Sequence, residues 1–276
     1  MMATRRQNWS VVFCAFLCLV AARMSPAASY DELIFDAQRY GNTEEKRAAK
    51  KVAWDELMAR GPEALGEVMK RSQLENVMIG VLAQNMVEQM DPALTAPILV
   101  QSLSSEYPRT RKLAAFFLGW HDTPQYADAV LPLLGDDEAA GAALRTLGKW
   151  HVKKAVPDVL PFLRHPREMR RIAGVNALRD IGDPAVVPEL MPLLGDDYFT
   201  VREAAARALS TFGRPAEHAL LDALPTSEGA ARRHIIRTLG VMKSRRAAKP
   251  LRRLLKDPDP DVRQDVEEAL TAITAR

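Results

Sequence analysis

The chain has 276 residues, 47% hydrophobic and only 6% aromatic, with 38 lysines and arginines against 35 aspartates and glutamates. That apolar content suffices for a core in one or two domains or in a repeat array, and the low aromatic share fits helices packed through Leu, Ala and Val. A net charge of +3 gives no support to whole-molecule attraction to nucleic acid.

The first segment carries that excess. Arg5 and Arg6 form a positive start, Val11 to Ala22 is uninterrupted apolar sequence, and Ser25-Pro26-Ala27-Ala28 supplies small residues. This is the layout of a secretory signal peptide. The apolar run falls short of the roughly 20 residues a spanning helix needs, so cleavage near Ala28 is expected, with retention as an anchor the alternative. Asn8-Trp9 departs from a twin-arginine signal, and Leu17 before Cys18 argues against a lipoprotein site. Without residues 1–28, 35 basic residues face 35 acidic ones, and both cysteines, Cys14 and Cys18, are gone. The expected product is a neutral exported protein without thiol chemistry or disulfides.

The chain then divides into an N-terminal helix or cap over 29–43 and a repeat array over 44–276. Tyr30, Leu33, Ile34 and Ala37 share one helical side, and Ser29 with Glu32 has capping-box spacing. From Glu44 a two-helix unit recurs. Its first copy runs from Glu44 to Ala59, turns at Gly61-Pro62 and continues to Arg71. The second passes Leu74 and Val77 to Met90, turns at Asp91-Pro92 and reaches Leu103. The third has Leu113 to Gly119 and Val130 to Leu134, and the fourth has Ala139 to Gly148 and Val156 to Leu163.

The fifth copy, Arg170 to Leu194, is the clearest. Ile172, Val175, Leu178 and Ile181 form one stripe and Val187, Leu190, Leu193 and Leu194 another, with Gly182-Asp183-Pro184 as helix stop, cap and restart. The sixth has Val201 to Gly213 and Pro215 to Leu224. The seventh has Ala230 to Gly240 and Ala247 to Leu255, and Val262 to Ile273 closes the series. Taken as turn markers, Gly119, Gly148, Gly182, Gly213 and Gly240 are spaced 29, 34, 31 and 27 residues apart, a period typical of stacked helical hairpins. Pro132, Pro161 and Pro192 lie deeper in second helices and are expected to bend them. The fold expected is all-α: a solenoid of about seven stacked hairpins.

The pattern Asp196-Asp197 with Val201-Arg202-Glu203-Ala204-Ala205 and Ala208-Leu209 recurs at Asp257 to Arg263 with Ala269-Leu270. It recurs again at Met169-Arg170-Arg171 with Ala177-Leu178 and Gly182-Asp183. On these residues the chain resembles the HEAT-repeat family, in the HEAT-like form of the bilin-lyase type. The resemblance implies a superhelix with second helices lining a concave surface, and a scaffold that binds other proteins. Arg111, Arg171, Arg202, Arg232 and Arg263 are expected to form a ladder reaching acidic groups of adjacent repeats, with anion binding the alternative.

Chemistry is sparse. Metal-dependent hydroxylases among HEAT-like proteins carry His-Glu dyads, but His121, His151, His165 and His234 lack a following Glu, and Glu217-His218 has the reverse order. HExxH, Walker and GxSxG motifs are absent from the sequence, so no catalytic residue, metal or cofactor is expected. Two features stand out for partner binding. Trp120-His121 and Trp150-His151 follow turn glycines one repeat apart and are candidate aromatic patches, or else pack over their own helix ends. Between Ala231 and Lys256 there is no acidic residue, and Arg245, Lys249, Arg252 and Lys256, with Arg253 beside them, mark one helical face. Arg252 falls in a column that holds Leu131, Leu160, Met191 and Leu221 in other repeats.

That basic face suits an acidic peptide, a phosphorylated group or an anionic envelope surface. The competing expectation is a solvated face balanced by Asp257, Asp259, Asp261, Asp265, Glu267 and Glu268. The function expected is an exported, non-catalytic scaffold that binds a protein or peptide. The alternative is an enzyme or enzyme subunit similar to bilin lyases or the metal hydroxylases.

Overall fold

The computed structural model describes residues 28–275 except 40, 42, 74 and 75. The signal-peptide reading, with Cys14 and Cys18, and the contribution of Leu74 lie outside the described residues. The chain forms two compact units, Met1–His121 and Asp122–Arg276. Among the described residues there are α-helices and 3-10 turns and no β-strand.

The first unit holds α1 (Tyr30–Ala37), α2 (Glu44–Ala59), α3 (Pro62–Arg71), α4 (Val77–Gln89), α5 (Pro92–Ser102) and α6 (Pro108–Leu118). Local chemistry sets these boundaries. Ser29 and Glu32 make the reciprocal capping box at α1, while Thr43, Asn76 and Asp91 cap α2, α4 and α5 through their side-chain oxygens. Pro62, Pro92 and Pro108 sit at first-turn positions where no N–H is needed. The core runs through Leu33, Leu57, Leu65, Met69, Met86, Leu99 and Leu118, all fully buried.

The second unit alternates first helices α8 (Ala140–Lys149), α10 (Glu168–Ile181), α12 (Phe199–Thr211), α14 (Gly229–Val241) and α16 (Pro260–Thr274) with second helices. The second helices contain α7 (Ala127–Val130), α9 (Val156–Val159), α11 (Val187–Leu190), α13 (Arg214–Ala223) and α15 (Ala248–Arg253). Each first helix packs on the next one, α8 on α10, α10 on α12, α12 on α14 and α14 on α16. Leu144, Leu147, Leu178, Leu190, Leu209, Leu220, Leu239 and Leu251 are fully buried along this stack.

The deep prolines tighten the helices into 3-10 form where bending was expected. Each of α7, α9 and α11 gives way one residue before Pro132, Pro161 or Pro192 to the turns Leu131–Gly135, Leu160–Arg164 and Met191–Gly195. A proline lacks the N–H for an α bond and crowds the carbonyl one turn back, so a short 3-10 end is the relaxed outcome.

The glycine markers need a larger correction. Gly148 lies inside α8 and Gly240 inside α14, both buried. Each marks a close helix approach: a Cβ on Gly148 would stand 3.2 Å from the Ala177 Cα, and one on Gly240 would stand 2.9 Å from the Cα and Cβ of Ala269. In the second unit the turns from first to second helix carry a positive φ at His151 (φ 52°), Gly182 (φ 75°), Gly213 (φ 60°) and Lys243 (φ 50°). Every one lies four positions after a fully buried leucine, namely Leu147, Leu178, Leu209 and Leu239. Counted on these turns the period is 31, 31 and 30 residues; the scatter seen with glycines came from mixing two roles.

Candidate functional site

The basic face of the seventh repeat is built on α15 and its 3-10 flanks, Arg245–Ala247 and Leu254–Lys256. Ser244 caps the entry through the Ala247 N–H at 3.2 Å and donates to Glu217 Oε1 of the preceding second helix at 2.5 Å. Ala247 and Leu251 are fully buried and fix which way the helix faces. Arg245, Lys249, Arg252, Arg253 and Lys256 are then all exposed. Leu255, 39% exposed, lies among them. In the column of Arg252, residues Leu131, Leu160, Met191 and Leu221 are half-buried, so the arginine replaces apolar surface with charge.

Three of the downstream acids pair with arginines of α14. Arg232 Nη1 meets Asp257 Oδ2 at 3.0 Å, Arg233 meets Asp261 at 2.5 Å and Asp265 at 2.6 Å, and Arg237 meets Asp265 at 2.7 Å. Asp265 is 2% exposed and has one guanidinium on each oxygen, which compensates its desolvation. Hydrogen bonding to Asp265 raises the Arg233 pKa above its ordinary value against the opposing effect of burial. Asp259 caps α16 through the Asp261 N–H. The basic run therefore divides in two. Arg232, Arg233 and Arg237 bind α16 and its entry loop, while none of Arg245, Lys249, Arg252, Arg253 and Lys256 has a carboxylate within 4 Å among the described residues. Arg246 reaches only to 3.9 Å from Glu217.

The two Trp-His pairs are not equivalent. Trp120 packs edge-on against Phe116 and Phe117, with ring centroids 5.3 and 5.1 Å away. His121 is 7% exposed, with its Nε2 2.9 Å from Thr95 Oγ1. Trp150 is also 7% exposed, whereas His151 is the exposed left-handed turn residue, its Nδ1 2.5 Å from the Asp180 carbonyl. Counted from Leu118 and Leu147, the pairs are one residue out of register. Burial removes His121 and Trp150 from the binding patches expected there; both serve the packing of their own units.

Burial lowers the pKa of His121 from its ordinary 6.5. The unfolded chain thus binds its proton more readily, and the stabilisation from neutral His121 is present above pH 6.5 and lost as pH falls through the lowered folded value. Acid melts of the wild type should show this loss for residues of the first unit, and His121→Gln should flatten it. An unchanged pH profile in the variant would contradict the assignment.

The arginine ladder is present in the second unit. Arg171, 9% exposed, donates from Nη1 to the carbonyls of His165 (2.7 Å) and Pro166 (3.1 Å), and meets Asp196 at 2.8 and 2.9 Å. Arg232 joins Ser227 O at 2.6 Å to Asp257. Arg202 and Arg263 each hold two carbonyls of the loop before their own helix. In the first unit Arg111 bonds Ser105 O and Glu106 O in the same way. The ladder ties loop carbonyls at the end of one hairpin to the next first helix.

The histidines are dispersed. His165 lies parallel to Phe162 at 6.4 Å and accepts the Arg167 N–H, His218 pairs with Asp222 at 3.3 Å, and buried His234 lies 3.4 Å from Glu203. Among the described residues no three His, Cys, Asp or Glu side chains converge as a metal-ligand set, and no helix is long and apolar enough to cross a membrane. One groove escaped the sequence reading: a cavity of about 450 Å³ between adjacent second helices, lined by Leu131, Leu134, Pro157, Pro161, Phe162 and His165. The prolines that open it were visible, but the side on which they face was not.

A family pattern described as HEAT repeats matches residues 135–210 and 217–275. Over these residues the chain belongs to the HEAT-repeat family. No curated protein matches its sequence. Among solved structures, this HEAT-repeat chain is similar to an engineered protein at 16% identity, covering 88% of this chain and 78% of that one with a TM-score of 0.46. The complex of the two phycocyanin lyase subunits from Nostoc is similar at 18% identity, covering 75% and 94% with a TM-score of 0.46. Human deoxyhypusine hydroxylase is similar at 19% identity, covering 88% and 95% with a TM-score of 0.36. At these scores neither the lyase nor the hydroxylase bears on the chemistry of this chain.

Proposed function

We propose that this HEAT-repeat chain is an exported, non-catalytic scaffold that binds an acidic segment of another protein along the α15 face. The supporting observation is the division of the basic run. Five exposed cations have no carboxylate within 4 Å among the described residues, while Asp257, Asp261 and Asp265 are committed to Arg232, Arg233 and Arg237. Part of the face is explained locally, because cations near a helix C-terminus are favoured by its dipole. That effect falls off within the last turn and leaves Arg245 and Lys249 without a helical reason. A row of exposed like charges raises the local potential and steers an anionic partner, and exposed Leu255 at the end of the run offers apolar contact beside it.

The test is fluorescence anisotropy with an oligo-glutamate peptide. Wild type should bind, and binding should weaken as salt is raised, because exposed charges are screened. Reversing Arg245, Lys249, Arg252 and Arg253 to Glu should weaken binding by about tenfold or more, since like charges then face the ligand. Equal affinity of wild type and variant would sink the reading. Export is tested separately: the N-terminus of protein recovered from its native host should begin near Ser29, and an intact Met1 would refute cleavage.

A further inference from the structure

We propose that Arg202 is an open rung of the ladder that receives a carboxylate side chain from another protein, independently of the α15 face. In the closed rungs the arginine meets an aspartate 25 residues further on, Arg171 with Asp196 and Arg232 with Asp257. The position 25 residues after Arg202 is Ser227, whose Oγ donates to Leu224 O at 3.1 Å within its own turn. Arg202 keeps the backbone half of the rung, with Nη1 on Asp196 O at 2.6 Å and Asp197 O at 3.0 Å. Among the described residues it has no carboxylate within 4 Å, and its Nη2, the nitrogen through which Arg171 bonds Asp196 Oδ1, makes no hydrogen bond. Arg263 makes the same backbone bonds, but among the described residues no aromatic ring lies against it.

A guanidinium N–H left without an acceptor is met best by a carboxylate. The surroundings favour a carboxylate carried on a side chain. The Arg202 guanidinium lies 5.7 Å from the Phe199 ring, and Phe199 is 55% exposed. Tyr198, 50% exposed, covers the neighbouring Arg171 at 5.3 Å. The nearby acid Glu203 already faces His234 at 3.4 Å. The geometry fits an acidic residue next to an apolar or aromatic one, the first filling the rung and the second lying on Phe199.

The experiment is NMR of the arginine Nε–H groups of the full chain, titrated with a capped Phe-Asp dipeptide, its Phe-Asn analogue and sodium sulfate. Arg202 should shift saturably with Phe-Asp, at least about tenfold more tightly than with Phe-Asn, as expected for loss of a charge-assisted bond. Ser227→Asp, which closes the rung within the chain, should abolish the shift, and Ser227→Ala should leave it intact. An equal response to Phe-Asn, a response undiminished by Ser227→Asp, or the same titration at Arg263 would overturn the proposal. Saturation by sulfate at lower concentration than by Phe-Asp would assign the rung to a free anion and overturn it as well.

Discussion

Leu178→Ala should lower the unfolding free energy of the chain by about 2–5 kcal/mol, the range for truncating a fully buried leucine. Leu178 is 0% exposed and lies on α10, which packs against both α8 and α12. The lost methyl groups therefore leave a void in a first helix that supports a neighbour on each side. Stacked repeats derive much of their stability from these shared surfaces, so the damage should spread. Urea unfolding gives the magnitude, and hydrogen exchange gives the extent: amides of α8 and α12 should lose protection along with those of α10. Loss confined to α10 would contradict the packing described above, whatever the total destabilisation.

Gly240→Ala should destabilise by about 1–3 kcal/mol although it replaces the poorest ordinary helix former with the best. The added Cβ would stand 2.9 Å from the Cα and Cβ of Ala269, so α14 and α16 must separate along their contact. The same separation pulls on Arg233 and Arg237, which grip Asp265 of α16 at 2.6 and 2.7 Å. Gly66→Ala supplies the control. Gly66 is also within a helix, but its nearest neighbour would be Ile98 Cγ2 at 3.7 Å, an ordinary contact. That substitution should stabilise by about 0.5–1 kcal/mol through the unfolded chain. Thermal or urea melts that move both variants in the same direction would refute the close-approach role of Gly240.

These two glycines also show where the sequence was readable. Helix type, order and most boundaries follow from apolar spacing, from caps such as Ser29 and Asp183 and from first-turn prolines, all local signals. A glycine is ambiguous because it serves a left-handed turn and a close helix contact equally well. Position relative to the buried leucine separates the two, and that rule places His151 and Lys243 at turns that composition would have given to glycine. The Trp-His pairs misled for the same reason: one residue of register decides whether an aromatic ring faces the core.

The basic face of α15 was legible because helical spacing alone groups Arg245, Lys249, Arg252 and Lys256. The fate of the acids was not. Asp257, Asp261 and Asp265 are next to α15 in sequence but are claimed by arginines 25 to 32 residues earlier, across the first helices. The open rung at Arg202 was hidden likewise, since it appears only when the closed rungs define what Ser227 replaces.

The central claim is that a partner docks on the α15 face, and site-specific photocrosslinking in the native host tests it most directly. A photoreactive residue at position 255, among the exposed cations, is compared with one at position 169, where Met169 is 67% exposed on a first helix of the same unit. A discrete crosslinked protein should form from position 255, be absent from position 169, and disappear when Arg245, Lys249, Arg252 and Arg253 are reversed to Glu. Equal products from both positions, or a product from position 255 that survives the reversal, would contradict the account.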